Sequence, residues 1–237
     1  MIKEHGNTYS RWKKWDQQKF AGLKNSQASY YSAEISRLKQ KIPAGAKVLE
    51  IGFGNGTFLK YAQQKEWDVY GTEINNELVG IAKESGFNVR QSKTVACFKD
   101  NTFDLVLAFD VLEHIPQDNL LDFLIEVKRI LKNGGFFIAR FPNGDSPFGL
   151  KIQNGDVTHI TSIGSGKVYY LGTATNMKVF FIGGEAEPIL GLTFLPFFHR
   201  IIFLPIKKLL NVLINLAFFP LDNIEFFSSN VTAIFKK

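Results

Sequence analysis

The sequence predicts an α/β fold built on a mostly parallel sheet. From residue 46 onward, apolar runs of strand length alternate with segments of helical periodicity. Because parallel strands need crossover connections, this alternation indicates right-handed β-α-β units. A glycine-rich turn also follows the first strand, at the edge where such sheets bind ligands. Strands are predicted at residues 46–51, 67–72, 87–91, 103–109 and 135–141, and helices at residues 56–65, 76–85 and 117–132.

Further elements flank this alternating core. Residues 27–41 have helical periodicity and precede Pro43 and Gly45, which are typical helix terminators. Near the C-terminus, Met177 to Ile182 and Val231 to Lys236 are apolar runs that predict two closing strands. The sequence therefore predicts a helical cap followed by one α/β domain.

The composition of the segments suggests how the chain is organised. We assign residues 1–42 to the N-terminal helical cap and residues 43–237 to the main domain. Within the main domain, residues 142–164 form a long loop that is rich in hydrogen-bonding groups and has no periodicity of its own. Such loops are typical of functional segments. Residues 190–221 are predicted to be an apolar helical insertion near the C-terminus.

Charge and cysteine content narrow the classes of function. The formal net charge is +6, and residues 1 to 41 alone hold nine Lys or Arg and three acidic residues. Such a segment attracts nucleic acid, anionic lipid or a phosphorylated substrate, although scattered charges are also typical of a solvated helix face. Cys97 is the only cysteine, which excludes an intrachain disulfide and a cysteine-rich zinc site. The polar N-terminus has no apolar leader, so we expect a cytoplasmic protein.

The glycine-rich turn carries the clearest signal of function. Residues 48–56 read VLEIGFGNG, an apolar strand that enters a turn with glycine at alternate positions. Glycine lets the backbone turn sharply and approach a ligand closely. The third glycine comes one residue earlier than in a dinucleotide fingerprint. In addition, Glu50 would repel a pyrophosphate but attract a ligand that carries an ammonium group.

This E-x-G-x-G-x-G pattern resembles the first motif of the class I S-adenosylmethionine-dependent methyltransferases. The resemblance implies a Rossmann-like, seven-stranded, mostly parallel sheet whose last strand is antiparallel. It also implies S-adenosyl-L-methionine as the cofactor and S-adenosyl-L-homocysteine as the product. Glu50, Gly52, Gly54 and Gly56 would then line the cofactor site.

Glu73 ends the second strand, about 20 residues beyond the glycine turn, at the spacing where an acidic residue binds both ribose hydroxyls. We predict Glu73 as the ribose clamp, with Ile74 packed on the adenine. A surface carboxylate after a strand is the structural alternative. Relatives often have an acidic residue for the adenine amino group after the third strand, and the aligned position here is Ser92. Adenine recognition is therefore expected to rest on backbone groups or on Ser92.

A second motif covers the fourth strand and its exit. Residues 103–116 read FDLVLAFDVLEHIP, which resembles the fourth motif of the branch that includes the ubiquinone-biosynthesis O-methyltransferases. The resemblance implies that Phe109 and Asp110 lie beside the methionine moiety. In some relatives a divalent cation is associated with this turn, which makes Asp110, Glu113 and His114 an alternative metal set. One histidine with two carboxylates does not define a metal, so we assign none and expect His114 to be a hydrogen-bonded residue of the cleft wall.

The long loop at residues 142–164 contains the strings PNGDSPF and GDVTH. They resemble methyltransferases found with polysaccharide and O-antigen biosynthesis enzymes, which implies a sugar, glycan or related small-molecule acceptor. Methylation of a hydroxyl needs a base, because a protonated alcohol is a poor nucleophile. We predict His159 as the base and Asp156 as the residue that orients it. A histidine that holds the loop shut is an equal alternative.

Residues 194–221 are apolar but interrupted by Arg200, Pro205, Lys207 and Lys208. The interruptions come before about 20 apolar residues accumulate, so we do not expect a transmembrane span. Two hypotheses remain open for this segment. It packs as a helix against the acceptor loop or a second subunit, or it contacts a membrane surface peripherally, which would suit a lipid-linked glycan.

Other functions are weighed against the sugar methyltransferase. Methylation of nucleic acid is not expected, because the fourth strand ends in Ala-Phe-Asp rather than N-P-P-Y and Cys97 lacks a preceding proline. Methylation of a quinone or lipid, a non-catalytic S-adenosylmethionine-binding scaffold, and a dehydrogenase remain alternatives. Tyr9 and Trp12, in the aromatic N-terminal segment, are either ligand contacts or ordinary packing residues.

Overall fold

The computed structural model describes residues 20 to 222 and 224 to 237, which include one seven-stranded sheet with helices on both faces. Tyr9 and Trp12 lie outside the described residues. The strands are β1 (Lys47–Ile51), β2 (Asp68–Glu73), β3 (Asn88–Gln91), β4 (Phe103–Phe109), β5 (Leu131–Pro142), β6 (Lys178–Gly184) and β7 (Asn230–Lys236). The helices are α1 (Asn25–Ser36), α2 (Thr57–Gln64), α3 (Asn76–Glu84), α4 (Leu120–Ile130), α5 (Pro147–Gln153), α6 (Ser165–Thr175) and α7 (Phe194–Phe218).

The strand order places the glycine turn at the switch point of the sheet. The order is β3-β2-β1-β4-β5-β7-β6, and β1 pairs in parallel with both β2 and β4. Ligands bind where the strand order reverses, beyond the carboxyl ends of β1 and β4. Strand β7 runs antiparallel between β5 and β6. The predicted seven-stranded, mostly parallel sheet with an antiparallel last strand is therefore confirmed.

Apolar side chains on both faces of the central strands explain why helices cover the sheet on both sides. In β4, Leu105 and Leu107 belong to a core cluster with Phe58 of α2 and Ile35 of α1. The intervening residues Val106 and Ala108 belong to the opposite cluster, together with residues of α4 and α6. Strands buried on both faces read as continuous apolar runs, which is why β4 was predicted with its observed bounds.

Two of the predicted helices differ most from the helices observed, and both were predicted too long. The helix predicted at 27–41 ends at Ser36, because Lys39 adopts a left-handed conformation (φ +53°) that interrupts the helical path. The helix predicted at 117–132 begins with a separate 3-10 turn, Gln117–Asn119, and its α-helical part is α4. The chain enters β5 directly at Leu131, where the backbone becomes extended.

The segment at 142–164 was predicted to lack secondary structure, and that prediction is wrong. It contains α5, which begins with Pro147 after the N-cap Ser146, whose hydroxyl accepts the N–H of Phe148. Helix α6 was not predicted at all, because Gly172 and its threonines give it weak helical propensity and little amphipathic periodicity.

The apolar insertion is one continuous helix, which confirms the predicted apolar helical segment near the C-terminus. Helix α7 runs for 25 residues and contains Pro205. By length and composition, it is the one helix in the described part of the chain that is apolar and long enough to cross a membrane. None of its residues is buried, so α7 does not bury its apolar side against the rest of the chain.

Glu34 anchors α1 to β7 and to the segment that follows β6. Its side chain is fully buried and accepts hydrogen bonds from the backbone N–H of Ala186 (2.6 Å) and the hydroxyl of Thr232 (3.0 Å). Arg37 forms an ion pair with the same carboxylate at 3.1 Å. A buried carboxylate is stable only when such partners are present.

We expect Glu34→Ala to lower the free energy of unfolding by about 2 to 4 kcal/mol, because it leaves buried donors and a partly buried guanidinium without their acceptor. Urea unfolding followed by circular dichroism measures the change. The exposed Glu84→Ala is the control, with an expected change within about 0.5 kcal/mol. Equal effects of the two substitutions would contradict an anchoring role for Glu34.

Candidate functional site

The glycine turn after β1 depends on left-handed backbone at all three of its glycines. Gly52, Gly54 and Gly56 have φ values of +69°, +49° and +68°, a region that side chains with a Cβ rarely adopt. A Cβ on Gly52 would also lie 2.7 Å from the Val111 side chain, and one on Gly56 would collide with the ring of Phe20. The turn therefore presents bare backbone at the switch point of the sheet.

Glu73 holds this turn in place. Its Oε2 accepts the backbone N–H of Gly54 at 3.1 Å, and its Oε1 accepts those of Ile74 (2.7 Å) and Asn75 (3.0 Å). The residue is 6% exposed. Since a carboxylate has about four acceptor sites and three are occupied, about one remains, on Oε2, for a hydroxyl donor. The position fits the predicted ribose clamp, with room for one ribose hydroxyl on this carboxylate.

Glu50 is a buried carboxyl group with one unmatched oxygen. Its Oε2 has no hydrogen-bond partner among the described residues. Burial and the nearby charge of Glu73 raise the pKa of Glu50 well above its usual 4.5, although a backbone hydrogen bond from Leu59 acts in the opposite direction. A buried acceptor that lacks a partner fits a ligand ammonium group, whose charge would compensate both costs.

The predicted adenine contacts differ in how available they are. Ile74 is 63% exposed, so its side chain is open to pack on a flat ring. The Ser92 hydroxyl donates to the carbonyl of Thr94 (2.6 Å) and accepts its N–H (3.1 Å), while the Ser92 N–H donates to the carbonyl of Glu73. Because the Ser92 side chain is engaged in its own turn, backbone groups are the stronger candidates for polar recognition there.

Phe109 lies under an aromatic cover that the sequence analysis missed. Tyr31 of α1 stacks on the Phe109 ring at 5.9 Å, and Tyr30 meets it edge-on at 6.2 Å. The Tyr31 hydroxyl lies 2.7 Å from Oγ1 of Thr57, at the start of α2. Burial and the nearby Glu50 raise the pKa of Tyr31 to about 12. Helix α1 thus closes the cleft beside the glycine turn with neutral phenols.

Asp110 is paired with Arg140, which the sequence analysis also missed. Arg140 donates through Nε to Oδ1 at 2.9 Å and through Nη2 to Oδ2. Asp110 takes a left-handed backbone conformation (φ +57°) to reach it. Glu185 lies 3.6 Å from the same guanidinium, and the Tyr30 hydroxyl accepts from Arg140 at 3.0 Å. Asp110 therefore lies at the predicted strand end, but its carboxylate is committed to an ion pair.

His159 and Asp156 come together as predicted, with Glu113 beside them. The His159 Nδ1 lies 3.1 Å from the carbonyl of Ile152. A carbonyl only accepts, so Nδ1 carries the proton and Nε2 is the basic nitrogen. Nε2 lies 3.6 Å from Asp156 Oδ2 and 3.8 Å from Glu113 Oε1. The His159 side chain is 5% exposed, so the basic nitrogen is almost closed off from solvent.

The structure changes the alternative metal set. Glu113, His114 and His159 offer ligand atoms that all lie within 4.8 Å of one another. Asp110 is not part of this group, because its carboxylate is paired with Arg140. Two imidazoles and one carboxylate form a donor set that suits a transition-metal ion. These three residues are therefore the ones that could hold a cation at the exit of β4.

The acceptor segment, residues 142–164, turns several of its polar side chains inward. Asn143 and Ser146 are buried and donate to backbone carbonyls of the segment that leads into β7. Thr161 is also buried, and its hydroxyl donates to the carbonyl of Ile115 at 2.6 Å. Five large apolar side chains of the segment are exposed beside the polar Lys151, Asn154 and Thr158: Phe148, Leu150, Ile152, Val157 and Ile160. The surface open to an acceptor therefore has a larger apolar part than the sequence suggested.

The sequence analysis missed these site residues for one common reason. Tyr30, Tyr31 and Arg140 act on the site from elements outside the two quoted motifs, and Arg140 meets a partner 30 positions away. One signal was available in the sequence. Tyr30 and Tyr31 form an adjacent aromatic pair in the predicted cap helix, close to the first strand. Which face of α1 meets Phe109 is decided only by packing.

Comparison with known proteins gives a consistent result. A family model described as a methyltransferase domain matches residues 24–178. An uncharacterised protein of Methanocaldococcus jannaschii is 35% identical over 153 residues, which are 61% of this chain and 64% of that protein. A ubiquinone biosynthesis O-methyltransferase of Xanthomonas axonopodis is 27% identical over 156 residues, 60% of this chain and 61% of the relative. The matched region thus spans about three fifths of these curated relatives.

Solved structures show the same fold. A SAM-dependent methyltransferase from Archaeoglobus fulgidus superposes with a TM-score of 0.64 at 22% identity, over 89% of this chain and 94% of that chain. A Haloferax volcanii methyltransferase, solved in complex with the activator Trm112, gives a TM-score of 0.61 at 15% identity over 87% and 89% of the two chains.

We expect Glu50→Gln to stabilise the ligand-free protein at high pH. A carboxyl whose pKa is raised by folding contributes stability that is fully present below its unfolded pKa and is lost as the pH rises through the folded pKa. Glutamine removes that loss, so the gain over the wild type in the free energy of unfolding should be larger at about pH 8 than at about pH 5. The exposed Glu84→Gln is the control for urea unfolding at both values, and equal pH profiles for wild type and Glu50→Gln would contradict the expectation.

Proposed function

This chain belongs to the class I S-adenosylmethionine-dependent methyltransferases, and we propose that it transfers the methyl group of S-adenosylmethionine to a hydroxyl of a sugar or glycan intermediate. The observation that carries the choice of a hydroxyl is the basic Nε2 of His159, which faces the carboxylates of Asp156 in the acceptor segment and of Glu113 in the turn after β4. The activity, acceptor and residue roles that follow belong to this proposal.

The predicted cofactor residues would each bind a different part of S-adenosylmethionine. S-adenosylmethionine supplies a methyl group on a cationic sulfur that is open to in-line displacement. Glu50 would pair with the ammonium group, and its ionisation would be favoured by that charge. Glu73 would accept a ribose hydroxyl at Oε2 while it keeps the turn closed, and Ile74 would cover the adenine. Phe109 and the backbone of Asp110 would border the methionine part, under the cover of Tyr31.

His159 would take the proton from the acceptor hydroxyl at Nε2 as the oxygen–methyl bond forms. The methyl–sulfur bond breaks in the same displacement, and its electron pair stays on sulfur. Asp156 and Glu113 would stabilise the imidazolium that results, since both carboxylates lie within 4 Å of Nε2. Because the His159 side chain is 5% exposed, the acceptor reaches Nε2 only after residues around it shift.

The apolar outer surface of the acceptor segment supports an acceptor with an apolar part. Phe148, Val157 and Ile160 are 49%, 95% and 60% exposed. A free sugar offers little that such side chains can bury, whereas a lipid-linked glycan offers both hydroxyls and an apolar chain. We therefore extend the proposal to a lipid-linked acceptor.

A phenolic hydroxyl is the second candidate acceptor. The observation that favours it is the 27% identity to a protein named ubiquinone biosynthesis O-methyltransferase. The same base and the same apolar surface would serve a phenol with an isoprenoid tail. The two candidates differ in the chemistry of the methylated product, so one assay with both acceptors separates them.

We expect Glu73→Gln to weaken binding of S-adenosylmethionine about 10- to 100-fold, because a charge-assisted hydrogen bond is worth about 1.5 to 3 kcal/mol. Isothermal titration with S-adenosylhomocysteine and thermal shift with S-adenosylmethionine measure the loss. Glu84→Gln is the matched control. Unchanged affinity would remove Glu73 from the ribose site, and stabilisation of the wild type by NAD alone would overturn the whole assignment.

We expect His159→Ala to lower the rate of methyl transfer about 10²- to 10⁴-fold while cofactor affinity stays unchanged, because a general base contributes by about that factor. Transfer of labelled methyl to a soluble glycan and a soluble phenol measures the rate. His199→Ala, an exposed histidine outside the site, is the control.

Two results would redirect the role of His159. Full activity of His159→Ala with a lowered melting temperature would make it a residue that holds the segment shut. Loss of wild-type activity with a chelator, restored by added Mn²⁺ or Zn²⁺, would assign His159, His114 and Glu113 to a metal site instead.

A further inference from the structure

Four of the six polar side chains of α7 lie on the side that faces the protein, whereas His199 and Lys208 are exposed. Its partly buried positions recur every three or four residues, which marks the side that faces the chain. Lys207 lies 3.3 Å from Oε1 of Glu187. Asn211 and Asn215 hydrogen-bond with the backbone of Ile224 and Phe226. This inner stripe consists of Phe197, Arg200, Leu204, Lys207, Asn211, Ile214 and Asn215.

The opposite side of α7 is a broad apolar surface. At 3.6 residues per turn, its exposed apolar side chains cover an arc of about 200°. Their exposure is large, with Phe194 at 77% and Leu216 at 72%. We call this surface the outer arc; its large members are Phe194, Leu195, Phe198, Ile201, Ile202, Phe203, Ile206, Leu209, Leu210, Val212, Leu213 and Leu216. A helix of a water-soluble domain has the reverse arrangement.

The charges of the helix are of one sign. From residue 194 to residue 221 the chain has no Asp or Glu but has Arg200, Lys207 and Lys208. Lys207 and Lys208 lie on the two borders of the outer arc in a projection of about 100° per residue. Long basic side chains at the border of an apolar face are typical of helices that lie between anionic headgroups and acyl chains.

We propose that the outer arc docks the protein on an anionic lipid bilayer, with α7 lying in the plane of the interface. Lipid fits better than a second copy of the chain, because a partner helix covers one stripe whereas acyl chains cover the whole arc. A second copy would also bring further cations and no acidic residue of α7 to the contact. The hydrogen bonds of the inner stripe keep α7 alongside the protein, which opposes a crossing orientation.

The docked orientation brings the acceptor segment to the membrane surface. Phe148 of that segment contacts Phe227 at 5.5 Å between ring centroids, and Ser146 donates to the carbonyl of Phe226. Phe226 in turn donates its N–H to Asn211 of α7 at 2.7 Å. The exposed apolar residues of the acceptor segment and the outer arc thus meet through one short stretch of chain. This inference goes beyond the proposed reaction and does not require it.

The test is flotation of the full chain with vesicles. We expect the wild type to float with vesicles of about three parts phosphatidylcholine to one part phosphatidylglycerol. The triple variant Ile202→Asp, Leu209→Asp, Leu213→Asp changes only exposed residues of the outer arc and should lower the floated fraction at least about tenfold. The control Gln64→Glu, Asn88→Asp, Asn119→Asp makes the same change in net charge at exposed polar positions and should float like the wild type.

Folding and assembly are checked separately. The melting temperature of the triple variant shows whether it is folded. A further rise of the melting temperature on addition of S-adenosylmethionine tests the cofactor assignment separately. The docking proposal is overturned if the wild type does not float or if the folded triple variant floats equally well. It is also overturned in favour of a second copy if light scattering shows a dimer that ignores vesicles and that the triple variant dissociates.

Discussion

The rest of the site depends on a single constraint, the hold of one buried carboxylate on three backbone N–H groups. Glu73 fixes Gly54, Ile74 and Asn75 at once and so joins the turn after β1 to the end of β2. Glu50 lies close to that junction. It is charged only at a cost, because it is buried and because Glu73 lies close by, and a cationic ligand is the natural compensation for two carboxylates in one buried place.

The parts of this site that could be predicted from sequence are those with local causes. Alternate glycines require left-handed backbone, and a carboxylate at a fixed distance behind them follows from the length of one β-α-β unit, so Gly52 and Glu73 were found directly. Partners far apart in the chain leave no such trace. Arg140 reaches Asp110 across 30 positions and Glu34 reaches Thr232 across 198. Helix α6 escaped prediction because tertiary packing, not propensity, stabilises it.

The polar side chains of the acceptor segment and of α7 behave alike. The acceptor segment was expected to offer its hydrogen-bonding groups to a ligand, and the basic residues of α7 were expected to interrupt its apolar run. In the structure these polar groups satisfy the protein's own backbone, as Asn143 and Asn211 illustrate. Irregular segments need such internal partners for backbone groups that no helix or strand satisfies. The apolar side chains are left outside, so sequence polarity alone does not tell which side faces solvent.

The anchoring of α1 has a consequence for access to the cleft. Movement of α1 away from the cleft would break the hydrogen bonds of Glu34 with Ala186 and Thr232 and leave a buried charge without partners. We therefore expect α1 to stay in place. Just before it, Phe20 covers Gly56 and packs edge-on against Phe53 and Phe87, and Ala21 donates a hydrogen bond to the carbonyl of Asn55. Opening the cleft from this side would therefore expose the apolar ring of Phe20 and the buried charge of Glu34 together.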